Sequence, residues 1–166
     1  MTMAPAKVVQ AGIWRVMIPA LLALSPLSAQ QTREEYFDAR NVPLVRGLLE
    51  KGDYDTCLRA CAIAIERGQP SPEWPVMRLA ALSELGRDDE ALAAAEEAMT
   101  THGESLRFLM ARHRLAQSLG RKDLADQTLR TVNELARKLP AKDRTGADLI
   151  ALGRAALAAG ADAKKV

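Results

Sequence analysis

From residue 41 onward, apolar-rich stretches alternate with polar breaks, and within each stretch the apolar positions recur at helical spacing. Between residues 54 and 67, Leu58, Cys61, Ala64 and Ile65 mark one face of a helix. The same pattern predicts helices over 41–51, 72–85, 88–101, 104–119, 121–138 and 146–159. Glycine and proline supply the breaks. Gly52, Gly68 and Gly86 follow apolar stretches as C-terminal stops, Pro43 and Pro72 suit helix starts with Ser71 as the cap before the latter, and Pro140 ends the helix before it.

One break is written three times. It reads Gly52-Asp53-Tyr54-Asp55, Gly86-Arg87-Asp88-Asp89 and Gly120-Arg121-Lys122-Asp123, with the glycines at one fixed interval. The next glycine in the series, Gly160, comes late, which places an insertion of six positions at 140–145. Aligning the chain on these glycines produces columns of compact residues: Val45, Leu79, His113 and Gly153 seven places before, Cys57, Ala91 and Ala125 five after, and Ala64, Ala98 and Val132 twelve after. Small residues at fixed positions let neighbouring helices approach closely.

A helix-turn-helix unit repeating every ~34 residues resembles the tetratricopeptide (TPR) repeat. The run from Gly86 to Leu92 and the pair Leu152-Gly153 are its best matches, and the resemblance covers residues 41–166. Departures are Leu44-Val45, Arg78-Leu79 and Arg112-His113 where the family has Leu-Gly, a Trp74 displaced by one place, and no terminal proline in the second and third repeats. The resemblance implies an all-α fold: a right-handed superhelical solenoid of antiparallel helix pairs, about three and a half repeats long. It also implies a concave groove lined by the leading helices. Arg46, Ala80, Arg114 and Arg154, six before each glycine, and Val42, Val76, Met110 and Ile150, ten before, fall in columns that line such a groove, with Arg107 and Glu73 near its rim. Spaced guanidinium groups over an apolar floor suit an extended peptide or a helix bearing carboxylates. The simpler expectation is that these arginines are solvated or pair with Glu50 and Glu84. The Lys and Asn pattern of the family's chaperone-binding carboxylate clamp is not matched.

The segment 1–29 differs from the rest. Lys7 and Arg15 precede and flank an apolar run, Val16 to Leu24, and Ser28-Ala29 offers small residues before Gln30, which together make a secretory signal peptide cleaved after Ala29. The run is about half the length of a membrane span. The expected location is therefore periplasmic or extracellular, with no stable membrane anchor. Thr32-Arg33-Glu34-Glu35 fits a capping box for a short lead-in helix within 30–40. Removing the signal changes the charge picture: of 23 Lys and Arg, two lie in the segment 1–29, leaving 21 against 21 Asp and Glu. A neutral chain argues against nucleic acid as the partner.

Candidate chemistry is sparse. Cys57 and Cys61 lie on one face of one helix, where the disulfide dihedral would be strained, and both occupy inward columns. His113 is expected to be a packed, hydrogen-bonded core residue, and His102 a helix-end residue suited to the dipole. No zinc, nucleophile-elbow or phosphate-loop motif occurs, so no catalytic residue, metal or cofactor is expected. The segment 146–159 is apolar on nearly all sides, which predicts either a longer repeat protein continuing past Val166, self-association through this helix, or a terminal helix that folds back. The functional expectation is a non-catalytic protein-protein interaction scaffold. The alternative is the N-terminal repeat module of a larger exported enzyme, for example a peptidase, with its catalytic domain beyond Val166.

Overall fold

The computed structural model describes residues 41–161, so the signal segment, the lead-in helix and its capping box lie outside the described residues. Seven α-helices and no strand are found among the described residues: α1 (Val42–Glu50), α2 (Tyr54–Glu66), α3 (Glu73–Glu84), α4 (Asp88–His102), α5 (Leu106–Ser118), α6 (Lys122–Lys138) and α7 (Gly146–Ala158). No helix among them is long and apolar enough to cross a membrane.

The repeated glycine explains the repeated geometry. Gly52, Gly86 and Gly120 take φ of 79°, 66° and 66°, the left-handed region that a side chain disfavours. In each turn the glycine amide donates to the carbonyl three residues back, and the next amide donates five back: Asp53 to Leu48 at 3.0 Å, Arg87 to Leu82 at 2.9 Å and Arg121 to Ala116 at 2.8 Å. This is the Schellman closure of a helix, and it uses carbonyls that would otherwise lack partners. The aspartate three places after each glycine sits in the first turn of the following helix, where its charge complements the dipole. Only α2 has a side-chain cap of its own among the three: Asp53 accepts from the Thr56 amide at 3.3 Å.

Each helix contacts its sequence neighbours, and in addition α1 meets α3, α3 meets α5 and α5 meets α7. The helices preceding the glycine turns therefore form one continuous row. The following helices, α2, α4 and α6, lie beside that row with no close backbone approach to one another. Three buried clusters fill the spaces. Val45, Cys57, Cys61, Trp74 and Met77 join α1, α2 and α3. Leu79, Ala91, Ala95 and Phe108 join α3, α4 and α5. Leu109, Val132, Ala151 and Ala155 join α5, α6 and α7. Ala91 and Ala95 are fully enclosed, as a close α3–α4 approach requires. Because α3 and α5 contribute to two clusters each, they are covered on both sides, and α5 alone buries nine residues.

Two local readings change. Helix α3 starts one residue later than expected: Pro72 takes the cap position, and the Ser71 hydroxyl accepts from the Glu73 amide at 3.3 Å. The inserted segment 140–145 contains a short 3-10 turn, Ala141–Asp143. Its Arg144 folds back over the end of α6, donating from its guanidinium to the Ala136 carbonyl at 2.9 Å and the Leu139 carbonyl at 3.1 Å. The insertion thus satisfies carbonyls that no glycine turn is present to close. Thr145 and Asp148 then form a reciprocal capping box that starts α7.

Candidate functional site

One cleft of about 360 Å³ is lined by the four helices of the continuous row and by no other. Helix α1 contributes Arg46, α3 contributes Val76, and α5 contributes Arg107, Met110 and Arg114. Helix α7 closes it with Ala147, Ile150, Ala151 and Arg154. Arg107 and Arg114 lie two helical turns apart on α5, so their guanidinium groups leave the same face about 10 Å apart along its axis. A smaller hollow of about 240 Å³ continues from this cleft, sharing Val76 and Arg114 and adding Ala80 and Glu84.

Seven of the ten groove and rim residues singled out from the sequence line this cleft, and Ala80 lines the adjoining hollow. Val42 lines neither. It is partly buried and packs against the first cluster, because the first turn of α1 leans on α2 and α3. The remaining members of its column differ in exposure, from Met110, 4% exposed at the cleft floor, to Ile150, 60% exposed at its edge.

The arginines divide into two kinds. Glu73, in the first turn of α3, bridges Arg46 and Arg107, with one carboxylate oxygen turned to each. Its side chain is 13% exposed, against 42% and 37% for the two arginines. The expected pairing of the groove arginines with Glu50 and Glu84 is therefore replaced by Glu73, which reaches one partner on the preceding helix of the row and one on the next. Arg114 and Arg154 have no hydrogen-bond or ion-pair partner among the described residues. Partial desolvation in the cleft, with the positive charge of Arg154 nearby, lowers the Arg114 pKa from its ordinary value. Two uncompensated cations held near each other form an anion-binding arrangement.

Elsewhere the chemistry is structural. Cys57 and Cys61 are free thiols with no exposure. The hydrogen bond between the two thiols, with burial, raises the Cys61 pKa, and the same bond lowers that of Cys57. His113 is buried as expected, but the expectation of a hydrogen-bonded ring is corrected: no hydrogen bond reaches the ring among the described residues, and the buried Nδ1 is left without a partner there. Burial lowers its pKa, opposed by the charge of Asp126. His102 ends α4 with its ring 6.3 Å from that of Phe108, and burial lowers its pKa as well. No group of three or more potential metal ligands occurs among the described residues.

Sequence reasoning missed Arg112. Only 5% exposed, it ties three helices together: from α5 it donates to Thr128 Oγ1 on α6 at 2.6 Å and to Glu96 Oε1 on α4 at 2.7 Å. Its signal was a charged residue in a column that Leu44 and Leu152 make partly apolar, beside the compact column of His113, and a charge buried in such a place asks for a partner. Compared with known proteins, the chain matches no family model, no curated protein and no solved structure.

Proposed function

We propose that the protein is a non-catalytic interaction module whose row of leading helices holds an extended acidic peptide segment of a partner. In this reading the helix pairs are TPR-like units stacked in a right-handed solenoid, and the cleft is part of its concave groove. The observation that carries the proposal is the concentration of charge. Four guanidinium groups surround one cleft and a single carboxylate, Glu73, contacts two of them. Outside the segment 1–29 the chain is otherwise balanced, so the basic cleft is not a by-product of a basic protein. Val76, Met110 and Ile150 add an apolar floor that accommodates side chains alternating with the carboxylates. Guanidinium forks suit carboxylates in geometry as well as charge. The proposal includes export by the N-terminal signal, which puts the partner in the periplasm or outside the cell.

The test is direct binding, measured by fluorescence anisotropy with labelled short peptides in which Asp or Glu alternates with Ala or Leu. The wild-type protein should bind saturably, and the triple variant Arg46→Ala, Arg114→Ala, Arg154→Ala should bind about tenfold more weakly or worse, since each charge-assisted bond contributes on the order of 1.5–3 kcal/mol. Circular dichroism should show unchanged helicity. Equal affinity in a folded triple variant would remove the cleft from the function.

A further inference from the structure

The cleft offers two stations for an anion along α5, and the protein already fills one of them. At the first, Arg46 and Arg107 converge on the Glu73 carboxylate. Two helical turns on, Arg114 faces Arg154 of α7 across the same cleft, and neither has an ion-pair partner among the described residues, Glu84 lying in the adjoining hollow without bonding to Arg114. The filled station shows what the open one can do: a carboxylate taken between guanidinium groups from two different helices.

We propose that Arg114 and Arg154 form the anion subsite of the cleft, taking one Asp or Glu carboxylate of an extended peptide, and that Glu73 blocks a second by occupying Arg46 and Arg107. This rests on the peptide-binding reading above and sharpens it. Arg46 and Arg107 are positioning residues that share the single Glu73 carboxylate, which leaves their station one net positive charge but occupies both guanidinium groups, so a peptide's apolar portion lies over them. The peptide class follows from charge and floor together. One acidic residue meets Arg114 and Arg154, and the residues beside it meet Met110 and Val76, which line the cleft between the two stations. A second acidic residue about 10 Å further along would have to compete with the Glu73 carboxylate for the same two guanidinium groups. The preferred sequence therefore carries one carboxylate, not a run of them.

The experiment compares four forms of the protein, wild type, R46A, the double variant R114A/R154A, and E73Q, against three labelled peptides of equal length. One peptide has a single central Glu in an Ala and Leu background, one has two Glu residues three apart in a Pro-rich background, which share one face and span about 9 Å in the polyproline II conformation, and one has phosphoserine at the central place. Binding of the single-Glu peptide should fall about tenfold or more in R114A/R154A and less than about threefold in R46A. For E73Q, the two-Glu peptide should gain about threefold or more in affinity, while the single-Glu peptide changes less, because the vacated station now accepts the second carboxylate. Circular dichroism verifies the fold of each variant.

If wild type binds none of the three peptides, both the peptide-binding reading and this division of labour fall. If wild type binds and R46A is as damaging as R114A/R154A, or E73Q gains nothing with the two-Glu peptide, the groove reading stands and the division into stations falls. A phosphoserine peptide bound about tenfold more tightly than the single-Glu peptide would overturn the carboxylate assignment in favour of a dianion.

Discussion

Arg112 makes a sharp test of how the flanking helices α4 and α6 are held to the row, because its buried charge stabilises and destabilises at once. Replacing it with Ala removes the donor to Thr128 Oγ1, a charge-assisted bond in a buried setting that contributes about 1.5–3 kcal/mol. Loss of the Glu96 contact costs about 0–1 kcal/mol, since that carboxylate is 60% exposed and rehydrates. Thr128 keeps its own bond to the Leu124 carbonyl at 2.7 Å, so its hydroxyl is not orphaned as a donor. Truncation also strips two buried methylenes, worth about 1.5 kcal/mol together. Against these losses stands the relief of a buried charge and of Arg112 Nε, which has no partner among the described residues and costs about 1–3 kcal/mol where it is. The balance is a loss of about 2 kcal/mol for Arg112→Ala. Arg112→Met keeps the stem and discards the charge, so the lost bonds and the relieved burial nearly cancel, and stability should stay within about 1 kcal/mol of wild type. Urea unfolding followed by circular dichroism reads both values, the Ala variant shifting its midpoint by about 1 M. If Met costs as much as Ala, the methylene stem is irrelevant and the polar bridge alone joins α4, α5 and α6. If neither variant loses stability, the bridge contributes nothing and the reasoning fails.

Two further outcomes follow from burial. Ala91 is fully enclosed between α3 and α4, so Ala91→Trp should overpack the second cluster and cost about 1–3 kcal/mol; a thermal midpoint that does not fall would refute the close helix approach. For the histidines, burial lowers the folded-state pKa of His113 and of His102 below the usual 6.5. The unfolded chain then takes up protons first as pH falls, so stability is full above about 6.5 and declines below it until the folded-state pKa is passed. Urea midpoints should drop between pH 7.5 and pH 5.5, and drop less in a His102→Gln, His113→Gln double variant; a flat wild-type profile would contradict the sign.

What the sequence made legible is what repeats. Helix ends lie within one or two residues of the periodic reading because Gly52, Gly86 and Gly120 enforce one closure by the same backbone geometry. The inward columns are equally readable, since Cys57, Ala91 and Ala125 answer one steric demand. Side chains that act between repeats were not legible. Glu73 appeared only as a rim residue, yet it binds Arg46 and Arg107 on two other helices, and no local pattern relates those positions. Arg144 looked like part of an irregular insertion, and only the fold brings its guanidinium back to Ala136 and Leu139. Val42 misled for a related reason. A column assigns equivalent roles to equivalent positions, but the first turn of α1 packs inward where its counterparts Val76 and Met110 line the cleft.

The departure of α3 from its neighbours gives the cleft a direction. In the column six places before each glycine, α1, α5 and α7 carry Arg46, Arg114 and Arg154, while α3 carries Ala80, which faces the adjoining hollow. The same helix presents Glu73 two turns before Ala80, at the place where α5 has Arg107, and it is this carboxylate that silences Arg46 and Arg107. Had α3 supplied another arginine, the groove would be uniformly basic, and an acidic segment could lie along it in either direction or any register. In the proposed reading, with an occupied end and an open end about 10 Å apart on α5, a single carboxylate has one place to go. A peptide anchored there must extend its apolar neighbours over Met110 and Val76, and the polarity of the bound chain follows from which side of its carboxylate those neighbours lie. Specificity in this reading arises less from the arginines than from the acid that withholds two of them.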